Sequence, residues 1–185
     1  MPDQSIDKLP QFTLPEVSVL MGVCGCGKTE VGLRLAAITG GVFHDGDNFH
    51  LPENVAKMSR GEPLDDVDRI PWLERIRSEL IEPVQKGAGP VFVGCSALRR
   101  AYRDLLTKGV ASGRVCLVHL SGSRELILSR MRARQGHFMK EEMVDSQFAT
   151  LEEPGADESF VTVSIEPPVE QVARNVIEAL KAARS

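Results

Sequence analysis

The sequence predicts an α/β fold: a three-layer αβα arrangement with a five-stranded parallel sheet between two layers of helices. Three observations predict it. Short, continuous apolar runs at Val17–Met21, Pro90–Cys95, Val115–Leu120 and Phe160–Ile165 alternate with segments of helical period, and strands buried on both faces read as unbroken apolar runs. The first run leads into Gly22-Val23-Cys24-Gly25-Cys26-Gly27-Lys28-Thr29, which opens a helix. Polar clusters fall at the predicted strand ends, where ligands bind in such sheets.

Each element has its own signal. Residues 1–16 contain Pro2, Pro10 and Pro15 without a clear period and read as an N-terminal arm; 17–185 reads as one domain. Val31 to Ile38 has helical spacing, and Gly40-Gly41 ends that helix as C-terminal glycines do. Val42-Phe43-His44-Asp45 is a short second strand that runs into a polar loop ending at His50. Pro52 suits the first turn of a helix to about Met58. Asp65-Asp66-Val67-Asp68 supplies capping candidates for a long helix whose apolar stripe is Ile70, Leu73, Ile76, Leu80 and Ile81. Pro90–Cys95 is a central strand, followed by a helix over Ala97 to Lys108. After the fourth strand, Ser123 caps a helix through Arg134. Glu141 to Leu151 is helical, Phe160–Ile165 is the fifth strand, and Pro168 opens the final helix.

Composition narrows the function. A chain of 185 residues suffices for one sizeable core and is short for two domains. A net charge of −4 argues against a nucleic-acid partner. No apolar stretch is long enough to span a bilayer, and the N-terminus lacks the basic start and apolar run of a signal peptide, so a cytoplasmic protein is expected. The four cysteines, Cys24, Cys26, Cys95 and Cys116, read as reduced thiols, and Cys116 as core.

Strand, glycine loop, Lys-Thr and helix form a phosphate-binding loop in its proper context. Glycines let the backbone curl so that N–H groups face phosphate oxygens. The helix start adds unpaired donors and the positive end of its dipole. Gly22, Val23, Cys24, Gly25, Cys26, Gly27, Lys28 and Thr29 are thus the nucleotide-binding candidates; Lys28 serves the β- and γ-phosphates, and Thr29 offers a hydroxyl to Mg²⁺. Asp45 and Asp47, at the end of the neighbouring strand, would stand beside the γ-phosphate, Asp45 near the metal and Asp47 accepting a hydroxyl proton. Arg130 and Arg134 share a helical face, where like charges repel unless an anion sits opposite. They are assigned to nucleotide phosphate, with Arg134 in a catalytic role beside Lys28 and Asp47. Gly136-His137-Phe138 suggests a hinged lid over about 134–145. His50, Lys57, Arg69, Arg99, Arg100, Arg103, His137 and Gln147 suit a carboxylate-bearing, polyhydroxylated substrate. Trp72 reads as packing rather than a pocket wall.

Several stretches carry a family resemblance beyond the loop. They are Asp45-Gly46-Asp47 with His50; Pro52-x-Asn54 with Lys57-Met58; Gly61-x-Pro63-Leu64-x-Asp66-x-Asp68-Arg69-x-Pro71-Trp72-Leu73; Cys95-Ser96-Ala97-Leu98-Arg99-Arg100-x-Tyr102-Arg103; Arg130-Met131-x-x-Arg134-x-Gly136-His137-Phe138-Met139; and Ser146-Gln147-Phe148-x-x-Leu151-Glu152-x-Pro154. In this order they resemble gluconokinases of the small P-loop kinase type, similar in architecture to shikimate and adenylate kinases. The resemblance implies ATP-dependent phosphorylation of D-gluconate at its terminal hydroxyl to 6-phospho-D-gluconate and ADP, with Mg²⁺, a mobile lid and often a homodimer. Two departures stand out: Cys24 and Cys26 where the family usually has serines, and Arg99 where it commonly has lysine. Two readings stand for the cysteines: one beside Lys28 at a helix start has a lowered pKa, so that a thiol reagent inactivates the enzyme and ATP-Mg protects it, or the replacement of serine is inert. The rival readings are a kinase for shikimate or another hydroxy acid, a nucleotide-controlled switch, and a mechanical or oligomeric ATPase.

Overall fold

In a computed structural model, which describes residues 14–85, 88–133 and 141–184, five parallel strands form one sheet in the order β2-β3-β1-β4-β5. The strands are β1 (Val17–Met21), β2 (Val42–Asp45), β3 (Val91–Gly94), β4 (Val115–Ser121) and β5 (Phe160–Ser164). The helices are α1 (Lys28–Thr39), α2 (Pro52–Ser59), α3 (Asp66–Ile76), α4 (Arg100–Thr107), α5 (Arg124–Ala133), α6 (Glu141–Thr150) and α7 (Val169–Ala182). Central β1 pairs Val19 with Val93 on one side and with Leu117 on the other.

The period-two alternation of side chains divides the core. Leu20, Phe92, Val118, Leu120 and Val163 face α1, α5, α6 and α7 through Val31, Leu35, Ile127, Val144, Val172 and Val176. Val17, Val19, Met21, Val93 and Leu117 face the opposite layer through Trp72, Leu73 and Ile76 of α3 and Tyr102 and Leu106 of α4. Burying each large apolar side chain contributes roughly 1.5–3 kcal/mol. Cys116 is buried, as its place in an apolar run implies.

Three sequence expectations need correction. First, β2 does not neighbour β1, because β3 lies between them. Asp45 still reaches the phosphate-loop region, because Thr29 at the start of α1 donates its hydroxyl to it. Second, Ile70 is 45% exposed. The first turns of α3 lie against α2, where Asn54 Nδ2 donates to the Asp68 carbonyl, and the stripe buried against the sheet starts at Trp72. The predicted cap holds: Asp65 and Asp68 form a reciprocal capping box, and the helix continues through a wider π turn at Arg77–Ile81. Third, the helix after β3 begins only at Arg100, because Ala97 sits at φ +45°.

At the amino edge of the sheet, Val91 N–H donates to the Glu16 carbonyl, and the Glu16 carboxylate pairs with Arg114. There Arg184, past the end of α7, donates to the carbonyls of Leu14 and Gly113 at 2.7 and 3.1 Å.

The Phe43 ring, on edge strand β2, lies flat on α1 at Gly32. A Cβ on Gly32 would lie 2.2 Å from Phe43 Cδ2, and one on Gly94 would lie 3.2 Å from the far end of the same ring. Replacing glycine by alanine within a helix normally stabilises by about 1 kcal/mol. Here the overlap reverses the sign: Gly32→Ala is expected to destabilise the chain by about 1–3 kcal/mol in chemical denaturation.

Candidate active site

The loop from Gly22 to Thr29 joins the end of β1 to the start of α1, with positive φ at Gly22, Gly25 and Gly27. At Gly22 a side chain is impossible for a second reason: a Cβ would meet the Leu120 carbonyl at 2.8 Å and Cys26 Sγ at 2.9 Å. Lys28 Nζ arches back over the loop and donates to the carbonyls of Gly22 at 2.9 Å and Val23 at 3.1 Å. The loop is also held from outside. Gly22 N–H donates to the Ser96 carbonyl at 3.2 Å, and Cys24 N–H to Gln147 Oε1 of α6 at 2.7 Å.

The acidic pair is in place at the same edge. Thr29 Oγ1 donates to Asp45 Oδ2 at 3.0 Å, while Asp45 Oδ1 accepts from Asp47 N–H at 3.1 Å. Asp45 thereby caps the 3₁₀ turn Gly46–Phe49 and turns the Asp47 carboxylate outward, where 81% of the side chain is exposed. His50 Nε2 lies 3.9 Å from Asp47 Oδ1. Its ring stacks on Trp72 with centroids 4.2 Å apart, and Trp72 Nε1 donates to the Gly46 carbonyl at 2.8 Å. Trp72 is a packing residue, as expected, and it also supports this turn.

Two cavities flank the loop. One of about 320 Å³ is lined by Gly25, Gly27, Arg130, Ile165 and Pro167. Arg130 enters it from α5 and donates to the Ile165 carbonyl. The other, of about 580 Å³, lies between α3, α4 and α6 and is lined by Arg69, Ser96, Arg99, Tyr102 and Gln147. In its wall Arg99 Nη1 donates to both carboxylate oxygens of Asp66, at 3.0 and 2.8 Å, and the Tyr102 hydroxyl donates to Oδ1. Arg69 and Arg99 lie 6.0 and 5.9 Å from the Tyr102 ring centroid. Gln147 is the residue that faces the second cavity while holding the loop.

The structure therefore brings Arg69, Arg99 and Gln147 together on one side, Arg130 on the other, and Lys28, Thr29, Asp45, Asp47 and His50 between them. Arg134 and His137, and most of the expected lid, lie outside the described residues. Lys57 is committed to Asp68 at 2.5 Å and Asp65 at 3.6 Å, and Asp68 raises its pKa. Arg100 is directed to Asp104 and Asp157.

Arg103 does not line the larger cavity. Its side chain is 1% exposed, and Nε and Nη2 donate to Glu158 at 2.6 and 3.0 Å. Burial is the largest influence on Glu158 and raises its pKa, but the hydrogen bonds from Arg103 and from Gly155 N–H, with the charges of Arg103 and Arg100, together outweigh it and hold that carboxyl below the usual range. Removing one partner of such a buried pair costs about 3–5 kcal/mol. Sequence reasoning gave Arg103 a ligand because an arginine's partner is set by tertiary contact. It assigned no ligand contact to Asp66, Ser96 or Tyr102. The position of Tyr102 three residues after Arg99, one helical turn on, is the signal that could have found it.

The reactive reading of the cysteines is also corrected. Burial raises the Cys24 pKa, against the lowering influence of Lys28, and Cys26 is fully buried. Alkylation of the native chain, followed by mass spectrometry, is expected to modify Cys24 slowly at pH 7 and faster towards pH 9 and above, leaving Cys26, Cys95 and Cys116 unmodified. Burial also lowers the pKa of His50, with Asp47 opposing, and of His119. Both are held neutral in the fold and take up protons more readily when unfolded. Stability in urea should therefore fall as pH drops from 7 through the ordinary histidine value near 6.5, and His50→Gln with His119→Gln should flatten that slope.

A family profile described as shikimate kinase matches residues 24–181. A probable gluconokinase of Rattus norvegicus is 42% identical over 183 residues, covering 90% of this chain and 98% of that protein. The thermoresistant gluconokinase of Escherichia coli strain K12 is 42% identical over 166 residues, covering 89% and 93%. The crystal structure of a gluconokinase from Sinorhizobium meliloti 1021 superposes with a TM-score of 0.82 at 40% identity, covering 91% of this chain and 93% of that one. With the phosphate loop, the acid pair and the arginine-lined cavity assembled on one edge of the sheet, the chain belongs to the gluconokinase family of small P-loop kinases.

Proposed function

We propose that this chain transfers the γ-phosphoryl group of ATP to the terminal hydroxyl of D-gluconate, giving 6-phospho-D-gluconate and ADP, in the breakdown of sugar acids. The observation that carries the reading is the placement of Gln147, which binds the phosphate loop through Cys24 N–H and faces the cavity that holds Arg69 and Arg99. A carboxylate gripped by these guanidiniums would leave the far, hydroxyl-bearing end of the acid free to turn towards Asp47.

The loop N–H groups and Lys28 bind the phosphate chain. Arg130, in the other cavity, is suited to nucleotide phosphate or base, and Arg134 is assigned to the moving phosphoryl group. As the hydroxyl oxygen bonds to the γ-phosphorus, its proton passes to the Asp47 carboxylate, the bond from that phosphorus to the bridging oxygen breaks, and ADP leaves. His50, neutral and stacked on Trp72, accepts a sugar hydroxyl or steadies Asp47. The transition state is loose, so positioning and charge stabilisation outweigh the base.

The donor set fits Mg²⁺. Thr29 Oγ1 and Asp45 Oδ2 are hard oxygens 3.0 Å apart at the loop's end. No group of three or more His, Cys, Asp or Glu suited to a metal occurs among the described residues. Mg²⁺ commonly takes one or two protein oxygens and completes its shell with phosphate and water. When bound, it would draw charge off the phosphate oxygens. A homodimer, closure of a lid over about 134–145, a single domain over 17–185 and a cytoplasmic location belong to the same reading. The family resemblance supports the first two. Among the described residues no helix is long and apolar enough to cross a membrane.

The test is a coupled assay with ATP, Mg²⁺ and a panel of gluconate, other aldonic acids and shikimate. Gluconate should be consumed with one ADP formed per 6-phosphogluconate. Lys28→Ala should lower kcat by roughly 10³-fold or more while leaving the melting temperature nearly unchanged. Nucleotide hydrolysis without a phosphorylated acid would favour a switch, and turnover of shikimate alone would change the substrate.

A further inference from the structure

Ala97 is the only residue other than glycine with positive φ among the described residues, at +45°. A Cβ disfavours this conformation, which persists where the surroundings over-determine it. The residue is fully buried in the crossing between β3 and α4, and it lines neither of the two cavities. Its neighbours do: Ser96 and Arg99 line the larger cavity, and the Ser96 carbonyl accepts the Gly22 N–H of the phosphate loop.

A buried arginine binds this stretch of backbone. Arg103 Nη1 donates to the carbonyls of Ala97 at 3.2 Å, Leu98 at 3.3 Å and Glu152 at 2.9 Å. Glu158 fixes the rest of the guanidinium from the opposite side. The Glu152 backbone closes the circuit, with its N–H donating to the Leu98 carbonyl at 2.8 Å, and its carboxylate accepts from Arg100 N–H at 2.6 Å. One planar cation thus ties the crossing to the segment that leaves α6, the helix that carries Gln147.

We propose that Arg103 is a positioning residue of the acid-substrate cavity. It acts through the backbone of Ala97 and Leu98, holding that crossing so that Ser96 and Arg99 face the substrate, with Glu158 as its anchor. The proposal rests on the gluconokinase reading above. A rigid fork is needed because the carbonyls and the carboxylate are bound at once, which a single ammonium cannot span. The nucleotide-side cavity shares no lining residue with this clamp. Loosening it should therefore separate the two substrates kinetically.

The test is the KM pair measured on folded variants. Arg103→Met is made together with Glu158→Gln, so that no carboxylate is left buried alone. The gluconate KM should rise about tenfold or more while the ATP KM stays within about twofold, since small misplacements of binding groups are costly. Ala97→Gly added to that background should bring the gluconate KM back by about threefold or more, because glycine holds a positive φ without the clamp. If the double variant does not fold, Arg103→Lys is measured by the same criteria. An unchanged gluconate KM, an equal rise in both KM values, or no recovery with Ala97→Gly would each overturn the proposal. Wild-type turnover separates this from the substrate assignment: if another hydroxy acid is the substrate, gluconate is overturned, and the same comparison run on that acid still decides the role of Arg103.

Discussion

Backbone N–H groups can bind phosphate only if the loop that presents them is held in a shape it would not keep alone. A glycine-rich loop gains freedom from its glycines and loses rigidity by the same token. The restraint therefore comes from around it. Lys28 pins two loop carbonyls from within, Ser96 takes the first N–H from β3's crossing, and Gln147 takes another from α6. The sheet order serves this need. With β1 central and β3 beside it, the loop emerges next to the segment that steadies it, and β2 still brings Asp45 to Thr29.

The same arrangement sorts charge. The cations around the larger cavity do not sit loose. Arg99 lies against Asp66, Asp66 also accepts from Tyr102, and the aromatic ring of Tyr102 lies within reach of two guanidiniums. Each of these groups is oriented before a ligand arrives, so less conformational freedom is left to lose on binding. Deeper, Arg103 and Glu158 form a pair that contributes geometry rather than net stability, since desolvation offsets much of the attraction in a buried ion pair.

Much of the architecture was legible because it is written in local periods: the apolar runs, the Asp65–Asp68 cap and Pro52 at a helix start all appear where the chain alone places them. The phosphate loop was legible for the same reason, since its residues are contiguous. What escaped is non-local. The insertion of β3 between β1 and β2 is a tertiary pairing, and no local period encodes it. Arg103 and Glu158 are 55 positions apart, and nothing near Arg103 marks it as buried rather than ligand-facing. The left-handed turn at Ala97 was read as helix, because alanine is a strong helix former. The sequence neighbours of Cys26 allow either a reactive or an inert thiol, and the core beneath the loop encloses it.

The meeting of Leu14 with Arg184 has a practical side. The two ends of the described chain come together at the amino edge of the sheet, remote from the rim where Thr29, Asp45 and Arg99 gather. A fluorescent reporter placed on this edge would stand on the far side of the sheet from that rim.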